Sequence, residues 1–81
     1  MSSAILVANS IRHPEAAAIL QRIISLGYRI VIRRDDRQID VRAIDERTGE
    51  LHQAVLTGDS TDIEYRGACA LSDLVVAELD N

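Results

Sequence analysis

The chain contains no lysine, no phenylalanine and no tryptophan, and only one cysteine, one proline and four glycines in 81 residues. Each shortage excludes something. Cys69 alone cannot close an internal disulfide or build a thiolate zinc cluster. Without Phe or Trp, a core has to be assembled from Ile, Leu, Val and Ala. Tyr28 and Tyr65 are the only aromatics, too few for the stacked platform on which single-stranded nucleic acids lie. No apolar run approaches membrane-spanning length. Ile5–Ala8 is too short for a signal-peptide core and has no basic region ahead of it. The expected location is cytoplasmic, with no membrane partner. Gly58 and Gly67 stand alone, and Thr57-Gly58-Asp59-Ser60 lacks the Gly and Lys set of a phosphate-cradling loop. Asp59, Asp62 and Glu64 do not follow the alternation of a calcium loop. No cofactor and no metal are expected from these patterns.

What is present reads as one small globular domain. The chain is 47% hydrophobic, too apolar for intrinsic disorder. At this length folding buries about 60–65% of the surface that the unfolded chain exposes. That leaves one core and little room for an enclosed active site, and a partner subunit would add stability.

Nine arginines face thirteen acids, a net charge of −4. Residues 1–47 hold eight Arg against six acids, or +2; residues 48–81 hold one Arg against seven, or −6. The overall acidity argues against duplex binding, which draws its affinity from phosphate neutralisation.

The periodicity predicts five elements in the order α-β-β-β-α. Pro14 suits a first helical turn and Glu15 its positive end. Ala16, Ile19, Leu20, Ile23 and Ile24 recur at helical spacing, and Gly27 can end the helix, so Pro14–Leu26 is helical. Tyr28–Arg33, Gln38–Ile44 and Leu51–Thr57 read as strands. Turns at Asp35-Asp36-Arg37 and Asp45–Glu50 are short enough to force an antiparallel meander. Ile30 and Ile32 share the inner face with Ile39, Val41 and Ala43. Ala54 and Leu56 face inward in the preferred phase of the third strand; Leu51, Gln53 and Val55 form the competing phase. Thr61 and Glu64 have the spacing of a capping box. Tyr65–Leu79 is the second long helix, with Ala68, Leu71, Ser72, Val75 and Leu79 in one stripe widened by Cys69, Leu74 and Val76. Residues 14–79 thus form a single α+β domain, with two helices on one face of a three-stranded sheet. Residues 1–13 precede it, and Ser2–Ile11 is open to three readings: a short strand, a helical extension or a segment lying over the core.

This element order is similar to that of double-stranded-RNA-binding domains. The similarity implies a fold and not a function. In those domains a lysine-rich turn opens the second helix and holds phosphates. Here the matching stretch, Gly58–Glu64, is acidic and would repel them.

The candidate interaction face is the outer side of the sheet, formed by Arg29, Val31, Arg33, Arg42 and Ile44, with Arg34 and Arg37 at the adjoining turn. Neighbouring acids can pair with these arginines and leave a merely solvated sheet. Val31 and Ile44, if they meet across strands within an arginine rim, instead make the centre of an interface. His13 and His52 are far apart in sequence and read as structural or solvated. His52 and Cys69 form a base–nucleophile pair only if the fold joins them, and Cys69 reads as a buried thiol. The expectation is a non-enzymatic interaction or regulatory domain that binds another protein. Nucleic-acid binding through the arginines, and self-association through the first residues or the second helix, are the alternatives.

Overall fold

The first helix, α1 (Pro14–Ser25), starts where proline can no longer disturb a backbone bond. His13 is its N-cap: the imidazole Nδ1 accepts from the Ala16 N–H at 3.3 Å. The helix ends at Ser25, a residue earlier than the pattern predicts. The N–H groups of Leu26 and Gly27 close on the carbonyls of Ile23 and Ile24. Gly27, at φ +101°, then turns the chain into the sheet. This computed structural model describes residues 11–35, 37–58 and 62–80.

Strands β1 (Tyr28–Arg34), β2 (Gln38–Asp45) and β3 (Leu51–Thr57) form an antiparallel meander in that order. Two tight links set the register. The Asp35 N–H donates to the Gln38 carbonyl, and the Asp35 Oδ1 accepts from the Arg37 N–H. Asp45 plays the larger part in the second link. Its N–H donates to the Glu50 carbonyl, and its carbonyl accepts from the Gly49 N–H. Its buried carboxylate accepts from the Arg47 N–H at 2.8 Å. These turns pair Ile30 with Ala43, Ile32 with Val41, and Val41 with Ala54.

Period-two alternation then sorts the side chains. Ile30, Ile39, Val41 and Ala43 are buried, with Ile32, Ala54 and Leu56 packed against them. The preferred phase of β3 is therefore the one that forms, while Leu51 and Val55 remain half exposed. The second helix, α2 (Asp62–Leu79), starts three residues before the predicted Tyr65. It packs against α1, β2 and β3, and α1 packs against β1. Both helices therefore cover one face of the sheet, giving the α-β-β-β-α layout expected. Gly67 lies on the face of α2 turned toward Ile39, Leu56 and Val41.

Ile11 is buried within the same core. Residues 1–10, on which most of the open N-terminal reading falls, lie outside those described, as does the Thr61 half of the expected capping box. Its Glu64 half is buried. Its Oε1 accepts from the N–H groups of Arg12 and His13, at 2.8 and 3.0 Å, and its Oε2 lies 3.5 Å from Arg34 Nε. The broad apolar stripe of α2 is only partly used: Ala68, Leu71 and Val75 are buried, whereas Leu74, Val76 and Leu79 are exposed.

Candidate functional site

The outer face of the sheet carries the five residues singled out from the sequence. Its cross-strand rows are Arg29–Ile44–Leu51, Val31–Arg42–Gln53 and Arg33–Asp40–Val55. Val31 and Ile44 are not direct partners, because the register sets Arg42 opposite Val31 and Arg29 opposite Ile44. They are diagonal neighbours, still within reach of one another's side chains. Ile44 has Leu51 beside it. Leu51 is 50% exposed and Val31 38% exposed, so the apolar part of this face runs obliquely across all three strands. Sequence reading missed Leu51 as a member. Its place in the competing phase of β3 was the available signal.

The charges on this face are unevenly satisfied. Arg42 grips Asp40 with two bonds, Nε to Oδ1 at 3.3 Å and Nη2 to Oδ2 at 3.1 Å. Gln53 Nε2 donates to the same carboxylate at 3.1 and 3.2 Å. Burial pushes the Asp40 carboxyl up, but the bonds from Arg42 and Gln53, with the charges of Arg42 and Arg33, hold it below the usual range. Arg42 is thereby neutralised. Arg29 and Arg33 are exposed and form no ion pair among the described residues. Arg34 points to the other side of the sheet, half-buried beside Glu64. A shallow depression of about 340 Å³ lies where Arg33, Arg34, Asp35, Gln38 and Asp40 meet. Its charges are mixed in sign and largely spoken for: Arg34 Nη1 donates to the carbonyls of Asp35 and Gln38.

Tyr28, the one aromatic near these arginines in sequence, is buried on the inner face. It cannot serve as a stacking platform beside them.

A second constellation lies at the open end of the layer between sheet and helices. Tyr28 and His52 both point inward, and their rings are 6.2 Å apart between centroids. The Tyr28 hydroxyl donates to Glu78 Oε2 in the last turn of α2. His52 Nε2 lies 3.1 Å from that same oxygen, an ion pair when the imidazole is protonated, and this buried nitrogen makes no well-formed hydrogen bond. Glu50, two residues before His52 and on the same side of β3, lies within reach of Glu78. The bond to Glu50, then that from Tyr28, draws the Glu78 carboxyl down to about 2, and the Glu50 carboxyl is raised by the same pairing. The bond to Glu78, with burial, pushes the Tyr28 phenol up to about 12. Nothing in the spacing of Glu50, His52 and Glu78 reveals this grouping; only the 50–52 alternation was visible.

The base–nucleophile pair is not assembled. His52 sits beside Glu78, whereas Cys69 interacts with Tyr65. Residues 69 and 78 are nine apart on one helix, a rise of about 13 Å. His13, besides capping α1, lies against the Tyr65 ring at 5.3 Å between centroids. Among the described residues, no helix is long and apolar enough to cross a membrane. No protein-family model, curated protein or solved structure matches this chain.

Proposed function

We propose that this is a non-enzymatic interaction domain whose outer sheet face binds an acidic protein segment carrying apolar anchor residues. The observation that carries the reading is the contrast between the two sides of the sheet. One is sealed by both helices. Among the described residues the other is uncovered and presents Val31, Ile44 and Leu51 together with Arg29 and Arg33, neither of which is in an ion pair there. A contiguous apolar strip with a charged rim is the usual anatomy of a recognition surface.

Charge selects the occupant. Arg42 and Asp40 cancel, so the face is positive on a chain of net charge −4. A second copy docking through the same face would bring two positive faces together, which opposes symmetric pairing. Nucleic acid finds the positive charge but no exposed ring to stack on.

A 15N-resolved titration with a synthetic peptide of alternating leucine and glutamate tests the reading. Amide shifts are expected at Arg29, Val31, Arg33, Arg42, Ile44 and Leu51. They should weaken at least about tenfold in the double variant Arg29→Glu, Arg33→Glu, since reversed rim charges repel the peptide. No shifts at millimolar peptide, or shifts confined to the helices, would overturn it.

A further inference from the structure

We infer that Glu50, His52 and Glu78 form a binding site for one first-row divalent cation, zinc by preference, at the end of the layer opposite Glu64. The site is separate from the outer face and does not depend on what that face binds.

Geometry is the first argument. One ligand atom from each of the three side chains lies within 4.8 Å of the others. The ligand atoms of a tetrahedral zinc ion sit about 3.4 Å apart, given metal–ligand bonds of about 2.1 Å. His52 Nε2 and Glu78 Oε2, 3.1 Å apart, already span such an edge. Glu50 is exposed and ends no core contact, so its longer approach is the one free to close.

The second argument is the state of the imidazole. His52 Nε2 is buried and has no hydrogen-bond partner. A coordinate bond through its lone pair would give that nitrogen a directed partner. The Glu50 and Glu78 carboxylates, with ligand oxygens within 4.8 Å of each other, also favour something positive between them. A divalent cation satisfies both demands at once and brings the three-ligand site to neutrality.

The donor set chooses the metal. One imidazole with two carboxylates suits zinc and its first-row neighbours, whereas magnesium and calcium favour all-oxygen shells. The Tyr28 hydroxyl on Glu78 holds that carboxylate in place, as outer-shell donors commonly do for metal ligands. Bound there, the cation ties β3 to the last turn of α2 across 26 residues of chain. A small core lacking Phe and Trp gains most from such a staple.

Isothermal titration of the tag-free chain with zinc chloride, with magnesium chloride in parallel, tests the site. One zinc per chain is expected, with magnesium much weaker. The melting temperature should rise by about 10 °C or more at zinc a hundredfold above its Kd. Cobalt substitution should give visible bands of four- or five-coordinate intensity. Glu50→Gln, at an exposed position, and His52→Gln should each weaken zinc at least tenfold while circular dichroism of the metal-free chain stays unchanged. Cys69→Ser should bind as the parent does. Absence of stoichiometric zinc binding overturns the proposal. So does undiminished affinity in both Gln variants, or loss of affinity in Cys69→Ser.

Discussion

Asp40 shows how a single charged residue can serve the fold rather than a ligand. It stands on the middle strand, where Arg42 from β2, Gln53 from β3 and the charge of Arg33 from β1 all converge on it. Its folded pKa is depressed, so it binds protons less readily folded than unfolded. The stability it confers is therefore fully present above its ordinary value of 3.8 and is lost as pH falls through the lower folded value. Urea midpoints measured from pH 7 downward should stay level through the neutral range as far as this residue is concerned, then fall in the acid range. Asp40→Asn should flatten part of that acid limb; an unchanged limb would show that Asp40 does not titrate in this way. The same residue explains why Arg42, although on the open face, is not free to bind a partner. Arg42 was legible as a candidate from its place in the alternation. That it is tied down was not, because its partner's reach depends on strand conformation and on Gln53 arriving from β3.

Among the elements, α2 decides most. Gly67 sits in its interior and faces the sheet, where glycine costs about 0.5–1 kcal/mol of helix stability relative to alanine. A Cβ there would meet Ile39 at 3.4 Å, Leu56 at 3.6 Å and Val41 at 3.8 Å, which is contact without a clash. Gly67→Ala should accordingly raise unfolding stability by about 0.5–1 kcal/mol in urea titrations. A loss of more than about 1 kcal/mol would mean that the helix sits closer to the sheet than these distances say. The register of the strands is an element-scale property too. The two short links place Ile44 beside Arg29 and Leu51, and Val31 beside Arg42. Changing either link by one residue would turn a whole strand over. The sequence shows that the strands alternate; the backbone of the turns settles which residues stand opposite each other.

At the scale of the whole molecule, α2 is anchored by a buried or half-buried carboxylate at each end. Glu78 meets Tyr28 and His52 at one end. Glu64 meets the backbone before α1 and the Arg34 guanidinium at the other. The Glu64 anchor joins the segment before α1, the end of β1 and the start of α2. Glu64→Ala leaves two backbone donors without their acceptor and removes the carboxylate beside Arg34 Nε, a loss of about 2–4 kcal/mol. Glu64→Gln, which still accepts, should lose less. Chemical denaturation measures both. A Glu64→Ala variant as stable as the parent would show that water replaces the carboxylate at no cost. For a domain of this size, whose total stability is of the order of 4–12 kcal/mol, the expected loss is a large share.

Local pattern alone determined the five elements, their order and the side of the sheet that faces the helices. Helical spacing in Ala16–Ile24, alternation in Ile39–Ala43 and glycines at 27 and 49 act over a few residues, and each limits the backbone directly. Tertiary structure decided which charges are buried and which meet. Glu64, which had the spacing of a capping residue, became a clamp between segments some 50 residues apart. Glu50, His52 and Glu78 came together from two elements, and Val31 was separated from direct pairing with Ile44. The physical reason is range. Backbone preference is spent within a turn or two of chain, whereas the cost of burying a charge or a lone pair depends on what the folded chain brings to it from elsewhere.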